Sequence, residues 1–398
     1  MKRFDIDIAV CGGGVAGAVC ASLLARAGRS VALIEARRPG WQPPMQDFDL
    51  RVVAISPGSA RILDKAGGLA LHDPRRRAEY RRMQVCAAAA SVAFSAQEHG
   101  IDQLGWIAEV PALQQAQWQA MEQRGQVRIL APAQVQEMAL RDDSVRLSLA
   151  DGQTLRAGLL VAADGARSRL RELAGIITDQ WHYNQAALVT HISTERTNEG
   201  VAWQRFTEHG PLALLPLPDG RSSIVWSQPD RRAQQLLALD EGDFLDELNS
   251  HQDSPFGLAL SCTERRSFAL IRRQAQRLVK QRLVLLGDAA RNVHPLAGQG
   301  LNLGLADAAA LAEVLENWQP DQDPSAALAR YQRWRLAAGS VIAGGIHAIN
   351  EIGHGPPPFS TGLLGLGFRL AGRLWPAREA FVKRACGLDA DSPRLSRS

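Results

Sequence analysis

The chain opens with a hydrophobic pattern typical of a nucleotide-binding βαβ unit. Residues 4–11 alternate and then become apolar, glycines follow at once, and apolar residues recur at helical spacing up to Gly28. A short β-branched run with an acid near its end occupies residues 31–36. This order of strand, tight turn, helix and strand has the length of a βαβ unit and predicts the start of a parallel sheet.

Later segments change the pattern. Residues 183–227 alternate apolar and polar positions, which predicts antiparallel strands with one wet face. Residues 282–287 are a buried strand that runs into a glycine-rich turn and an apolar helix, so the nucleotide domain is discontinuous. The segments between the βαβ unit and residue 183 predict a loop and an edge strand over 74–99, a helix over 111–124, and strands at 127–130 and 144–149.

These elements predict an α/β fold with an inserted domain. We expect a Rossmann-like nucleotide-binding domain, an inserted, mostly antiparallel β-sheet domain for the substrate, and C-terminal helices. The nucleotide domain is predicted at 1–72, 100–178 and 280–335, the substrate domain at 73–99 and 179–279, and the helical segment at 336–398.

Composition narrows the class of protein. The 398 residues are 46% hydrophobic and 22% charged, which is typical of a globular chain and excludes disorder. The net charge of +4 is too small to indicate nucleic acid as a partner. Five scattered cysteines without a CxxC pair indicate neither disulfides nor a zinc site and favour a reducing, cytoplasmic location. We also expect no signal peptide and no membrane span.

Gly12, Gly14 and Gly17 form GxGxxG at the predicted turn from strand to helix. The first glycine permits the turn, the second admits a pyrophosphate, and the third lets the helix pack on the strand. Glu35 lies 18 residues beyond Gly17, where a carboxylate accepts both ribose hydroxyls of an adenosine. The alternative is that Arg37 and Arg38 bind the 2'-phosphate of NADP.

A second motif runs from Gly287 to Gly304, GDAARNVHPLAGQGLNLG. In it, an apolar strand ends on Asp288, which would bind a ribityl or ribose hydroxyl, and Pro295 would form a rigid wall. Backbone N–H groups from Gly298 through Gly300 and Leu301 to Asn302 would point at an anion. Such a helix start suits the negative N1/C2=O edge of a reduced flavin, which favours FAD as the cofactor.

The third motif is VAADGARSRLR at residues 161–171. Asp164 and Gly165 would set a turn beneath the pyrophosphate. An ordinary DG turn followed by a helix capped by Ser168 explains the same residues equally well.

In this order and at these separations, the three motifs resemble those of the class A flavoprotein monooxygenases, which have the para-hydroxybenzoate hydroxylase fold. The segments LRVVAISPGSARIL, LGWIAEVPALQQAQW, FTEHGPLALLPLPDGRSSIVW and HPLAGQGLNLGLAD resemble more narrowly the FAD-dependent hydroxylases of ubiquinone biosynthesis, over roughly residues 5–335. The resemblance implies FAD contacts at Gly12, Gly14, Gly17, Glu35, Arg51, Asp288, Pro295, Gly298 and Asn302.

Two positions depart from the family pattern. Most relatives have GDAAH where this chain has GDAAR, so we expect Arg291 to add a charge near the flavin entrance. The acid-amide pair that usually opens the helix near residue 109 is Glu109-Val110 here, which removes a polar contact.

The resemblance also implies the reaction. NADH or NADPH would reduce FAD, O2 would add at the flavin C4a carbon, and the resulting hydroperoxide would hydroxylate an electron-rich ring. The substrate would be a polyprenylated phenol or quinol of ubiquinone biosynthesis, met at the inner membrane surface or in a ubiquinone-biosynthesis complex. Two alternatives stay open: a class A hydroxylase of a small soluble aromatic, and a flavin-binding assembly or redox protein without hydroxylase activity.

Other features allow two interpretations each. Arginines 75, 76, 77, 81 and 82 indicate a solvated loop or a site for NAD(P)H or an acidic headgroup. His294, beside Pro295 and so near the flavin, is either catalytic or structural. The apolar, arginine-containing tail at 361–384 either docks on a membrane or partner or covers the protein's own core. No histidine spacing indicates a metal site, and the sequence does not define the oligomeric state.

Overall fold

The computed structural model describes residues 4–41, 47–87, 90–292, 299–353 and 375–397. In chain order, the strands are β1 (Ile6–Cys11), β2 (Val31–Ile34), β3 (Val52–Ile55), β4 (Arg77–Tyr80), β5 (Arg82–Ala87), β6 (Ala90–Ser95), β7 (Gly105–Glu109), β8 (Val127–Leu130), β9 (Val135–Leu140), β10 (Val145–Leu149), β11 (Thr154–Ala162), β12 (Thr178–Thr194), β13 (Val201–Thr207), β14 (Gly210–Pro216), β15 (Ser222–Pro229), β16 (Ala259–Cys262), β17 (Arg266–Ala275), β18 (Val279–Lys280), β19 (Leu283–Leu285) and β20 (Arg291–Asn292).

The α-helices are α1 (Val15–Arg26), α2 (Pro57–Ala66), α3 (Val110–Arg124), α4 (Arg169–Leu173), α5 (Asp230–Ala238), α6 (Glu241–His251), α7 (Gln299–Val314), α8 (Ser325–Gly353), α9 (Trp375–Ala385) and α10 (Arg394–Arg397). Short 3-10 helices lie at Leu69–Leu71, Pro74–Arg76, Gln97–His99 and Gly287–Ala289.

The first sheet has the Rossmann-like arrangement. Its order is β18-β19-β11-β1-β2-β8, and the neighbours from β19 to β8 run parallel. β10 pairs antiparallel with β11, and β9 pairs with β10. The central strands are buried almost along their whole lengths, as expected of a parallel sheet with a continuous apolar sequence. The predicted βαβ unit is β1, α1 and β2.

The second sheet is mostly antiparallel, with the order β20-β17-β12-β15-β14-β13-β5-β6 and β16 paired to β12. Only the β13–β5 pairing is parallel among those described. One face carries Leu188, Leu214 and Trp226, which form a core with Leu236 of α5 and Phe244 of α6. The predicted fold class, a Rossmann-like domain with an inserted, mostly antiparallel sheet, is confirmed. The domain boundaries stay a prediction.

The arginine-rich segment 74–99 is not a solvated loop followed by one strand, as the sequence suggested. It forms three strands: β4 joins β3 and β7 in a small sheet, and β5 and β6 end the second sheet. The expected edge strand is β6. The Arg76 guanidinium is mostly buried because Glu109 binds it and the Phe48 ring lies 4.7 Å away. Charge pairing and stacking therefore let Arg76 be buried here. The side chains of Arg75 and Arg81 are 89% and 70% exposed, so the solvated interpretation holds for them.

Part of the C-terminal segment packs on the protein itself. Val382 and Cys386 are buried in a cluster with Ala96 and Leu104. The N–H of Gly58 donates to the Cys386 carbonyl at 2.9 Å. The end of the predicted docking tail therefore covers the protein's own core, whereas residues 361–374 lie outside the described residues.

Within these described ranges, no helix combines the length and the hydropathy that a membrane span requires.

Candidate functional site

The GxGxxG turn has the close packing that the sequence predicted. Gly12 has a φ of +109°, and a Cβ there would lie 2.1 Å from the Ala163 carbonyl oxygen. A Cβ at Gly17 would lie 2.0 Å from the Gly12 carbonyl oxygen. At Gly14, by contrast, nothing lies within 4 Å of a Cβ position. The first and third glycines are required by packing, and the second faces open space where a pyrophosphate would fit.

Two side chains of helix α3 bind the backbone of this turn. The Gln114 amide and the Trp118 indole each donate to the Gly13 carbonyl at 2.8 Å. Neither residue was predicted to belong to the site. Both lie in the segment LGWIAEVPALQQAQW, but the sequence does not show which distant backbone group a glutamine amide or a tryptophan indole will bind.

Glu35 follows β2 and faces the same turn. Its carboxylate accepts the N–H of Gly13 and, at 3.1 Å, the N–H of Arg37. Since a carboxylate offers about four acceptor positions, capacity remains for ribose hydroxyls. Arg38 pairs with Glu122 at 2.7 Å, and both side chains are about half exposed.

The DG turn packs directly against the glycine turn. A Cβ at Gly12 would also lie 2.8 Å from the Asp164 N atom. One Asp164 carboxylate oxygen accepts the N–H of Leu170 at 3.2 Å, and the other is buried without a hydrogen-bond partner. Ser168 caps α4. A buried carboxylate oxygen without a hydrogen-bond partner, in a turn that packs against the glycine turn, is the arrangement expected of a site that a ligand completes.

The second motif reaches the same region through α7. A Cβ at Gly304 would lie 3.2 Å from the Ala16 Cβ and 3.3 Å from the Gly287 Cα, so the start of α7 packs closely on α1. A Cβ at Gly300 would meet nothing within 4 Å, and Gly300 and Leu301 are half-buried. His294, Pro295 and Gly298 lie outside the described residues.

Asn302 has a structural role that the sequence did not indicate. Its side-chain oxygen accepts the N–H of Ser56 at 3.0 Å, and its amide donates to the Ala54 carbonyl at 2.8 Å. The side chain therefore fastens the start of α7 to the end of β3. The contact of Asn302 with FAD stays a prediction.

Asp288 lies in the 3-10 turn before β20. Its side chain is exposed to solvent, yet surrounding protein partly desolvates the carboxyl and raises its pKa. Such a carboxyl can accept a hydrogen bond from a hydroxyl of a bound nucleotide. The contact of Asp288 with FAD stays a prediction.

We expect Asp288→Ala to weaken FAD binding about 10- to 100-fold, because a hydrogen bond to a charged group contributes about 1.5–3 kcal/mol. Titration of the ligand-free protein with FAD, followed by flavin fluorescence, measures the change. Asp102→Ala, at an exposed position elsewhere, should bind FAD as the unaltered protein does. Equal affinity in both variants would remove Asp288 from the site.

Arg51 belongs to a chain of charged groups. Its guanidinium is exposed and pairs with Asp49 at 3.0 Å. The N–H of Asp49 donates to the Glu109 carboxylate, which also binds Arg76. Burial raises the pKa of Glu109. Glu109, the acid that this pair keeps, thus makes two polar contacts, and it positions the segment that carries Arg51.

The charge of Arg291, which the sequence suggested would lie near the flavin entrance, is buried and paired. Its side chain is 1% exposed and pairs with Asp307 of α7 at 3.0 Å. Asp307 also binds Arg335 of α8, at 2.6 Å, and accepts the N–H of Gly287 at 3.2 Å. The Arg291 guanidinium is buried because it pairs with the buried Asp307 carboxylate. The cluster of Arg291, Asp307 and Arg335 thus connects α7, α8 and the second motif.

The residues brought together fit a flavin dinucleotide: a glycine turn with free space above it, an unpaired buried carboxylate oxygen, and an acid beside a helix start. A profile of the FAD binding domain family matches residues 5–343. The 3-demethoxyubiquinol 3-hydroxylase of Escherichia coli is 34% identical over 393 residues, which cover 98% of this chain and 100% of that protein. This chain belongs to the FAD-dependent hydroxylase family of ubiquinone biosynthesis.

A second relative in this hydroxylase family is the ubiquinone hydroxylase UbiL of Rhodospirillum rubrum. It is 34% identical over 402 residues, which cover 98% of this chain and 92% of the relative. The crystal structure of the p-nitrophenol 4-monooxygenase PnpA from Pseudomonas putida superposes with a TM-score of 0.77 at 19% identity, covering 97% of this chain and 99% of PnpA. The latter likeness shows the shared fold.

This hydroxylase is an FAD-dependent monooxygenase, so the predicted family, enzyme class and cofactor are confirmed. NADH or NADPH and O2 are the typical co-reactants of its class. The individual FAD contacts stay predictions. In the described part of the chain, no three His, Cys, Asp or Glu side chains come together as a metal site.

Proposed function

We propose that this enzyme hydroxylates the aromatic ring of a polyprenylated phenol or quinol intermediate of ubiquinone biosynthesis, with NADH or NADPH and O2. The observation that carries the proposal is the full-length likeness to relatives whose names specify ubiquinol or ubiquinone hydroxylation. FAD, when bound, supplies the electron transfer and oxygen activation. The chain's own residues bind it, orient the ring and exclude water.

The inserted sheet offers an apolar surface for a ring. On the face opposite α5 and α6, Ala213, Leu215 and Val225 are half-buried and adjacent across β14 and β15. Apolar side chains around a reacting ring keep water out, which favours oxygen transfer over release of hydrogen peroxide. This face supports an aromatic substrate.

A deletion strain tests the proposed function. Mass spectrometry of its quinones should show loss of ubiquinone and accumulation of a polyprenylated intermediate lacking one ring oxygen. The gene should restore ubiquinone, and a gene encoding Gly14→Val should not, because that change blocks the FAD site. Normal quinone content in the deletion strain, with no second hydroxylase gene expressed, would contradict the proposal.

We also propose that the tail segment 361–374 attaches the enzyme transiently to a membrane surface, where a polyprenylated ring resides. Leu366, Phe368 and Leu370 lie among basic residues in the sequence, a composition that favours weak binding to an anionic surface. Truncation is a poor test, since it would also remove Val382 and Cys386 from the core.

The double variant Leu366→Glu, Phe368→Glu tests the attachment instead. We expect the double variant to co-sediment several-fold less with vesicles containing anionic lipid, because each change removes apolar area and adds repulsion. The matched control places glutamate at Leu258 and Leu260, which are 51% and 60% exposed. Equal sedimentation of both double variants and the unaltered enzyme would exclude attachment through the tail.

A further inference from the structure

Two buried polar residues oppose one another on the substrate sheet. His191 of β12 pairs in register with Ser223 of β15, which places their side chains on the same face as immediate neighbours. His191 is 1% exposed and Ser223 is 0% exposed. Both lie on the face opposite α5 and α6, since Leu188, Ile192 and Ile224 occupy the α-helical side.

These two side chains make no hydrogen bonds among the described residues. Both ring nitrogens of His191 and the hydroxyl of Ser223 are buried without a hydrogen-bond partner. The backbone of Phe48 and Asp49 approaches the ring without completing a hydrogen bond. Three unpaired polar atoms together cost stability, and such groups are rare in proteins unless a ligand or water satisfies them.

The pair lies beside the segment predicted to contact FAD. Asp47 pairs with Arg221 at 2.7 Å, which ties the segment before Arg51 to the start of β15. Phe48 and Asp49 lie against His191. Leu215, the register partner of Ser223 on β14, belongs to the apolar surface described above. The polar pair therefore borders both that surface and the cofactor segment.

The chemistry of the pair suits a hydroxyl group. Burial lowers the pKa of His191, with smaller and opposing effects from Asp47 and Arg221, so the imidazole is neutral at pH 7. A neutral imidazole offers one donor and one acceptor, and a serine hydroxyl can do both. A phenolic hydroxyl placed between them can donate to one and accept from the other, whereas a carboxylate would leave the acceptor nitrogen unpaired.

We propose that His191 and Ser223 bind the phenolic hydroxyl of the substrate ring and so determine which ring carbon faces the flavin. This inference rests on the proposed function and deepens it. Both are positioning residues, because they fix the ring without taking part in oxygen transfer.

Paired ligands test the recognition. The probes are a 2-methoxyphenol with a short prenyl chain and its counterpart lacking the hydroxyl, and perturbation of the FAD spectrum reports their binding. The unaltered holoenzyme should prefer the phenol by about 10-fold or more, since a site built for a hydroxyl rejects an analogue without one. His191→Leu and Ser223→Ala should each reduce this ratio towards one. Ser227→Ala, on the same strand and face but four residues away, should keep it.

Thermal unfolding of the ligand-free variants adds a second readout. Because the replaced polar atoms are unpaired, Ser223→Ala and His191→Leu should keep or raise the melting temperature. The phenol site is overturned if the unaltered enzyme binds the phenol and its counterpart equally, or if both variants keep the preference of the unaltered enzyme. This holds even when the prenylated phenol is hydroxylated. An enzyme that hydroxylates no prenylated phenol overturns the proposed function and this inference with it.

Discussion

Replacing Gly14 with valine is expected to leave the ligand-free protein folded and to abolish FAD binding. Gly14 has a φ of −63° and a ψ of 171°, which any residue adopts, so valine causes no backbone strain. Its Cβ would meet nothing within 4 Å. The added methyl groups would occupy the space into which the pyrophosphate must move to reach the backbone N–H groups.

Circular dichroism and thermal unfolding measure the fold of this variant, and flavin absorbance after incubation with FAD measures the binding. Gly242→Val is the matched control, because Gly242 lies in α6 and its Cβ position is also uncrowded. That variant should retain FAD. Full FAD content in Gly14→Val would mean that the pyrophosphate lies elsewhere. If Gly14→Val does not fold, the smaller substitution Gly14→Ala tests FAD binding in its place.

Asp307→Asn is expected to cost about 3–5 kcal/mol of the free energy of unfolding. The change would leave the buried guanidinium groups of Arg291 and Arg335 without their counter-charge. Removing one partner of a buried ion pair leaves a desolvated charge, which is much costlier than breaking an exposed pair. The loss should lower the midpoint of urea unfolding while the slope stays constant.

The exposed pair of Arg38 and Glu122 provides the control. Glu122→Gln should cost less than about 1 kcal/mol, because solvent screens both groups. If Asp307→Asn costs as little as Glu122→Gln, the buried cluster does not hold α7 against α8. Asn at 307 nearly preserves the side-chain volume, so a cavity cannot explain a large effect.

The fold and the phosphate turn were predictable because their signals are local. Gly12 has a φ of +109°, and a Cβ at Gly17 would lie 2.0 Å from the Gly12 carbonyl oxygen, so both positions tolerate few substitutions and their spacing identifies the turn. The alternation of apolar and polar residues in 183–227 likewise indicates a sheet with one solvent-exposed face and one buried face. These features depend on neighbours close in sequence.

The remaining site depends on partners that are far apart in sequence. Arg291 meets Asp307 and Arg335 only after α7 and α8 pack, so its charge could not be placed from GDAAR alone. Trp118 reaches Gly13 across 105 residues. His191 and Ser223 become neighbours through the register of β12 and β15. Long-range pairing cannot be read from the periodicity of one segment.

Oxygen-isotope labelling tests most directly whether this chain is an FAD-dependent hydroxylase of prenylated phenols. The purified holoenzyme is mixed with NADH or NADPH and a short-chain prenylated 2-methoxyphenol under ¹⁸O2, and the product is weighed by mass spectrometry. The expected product carries one ¹⁸O atom on the ring and is formed by the holoenzyme and not by Gly14→Val. Oxidation of the reductant with hydrogen peroxide as the only oxygen product, or ring oxygen derived from water, would contradict this function.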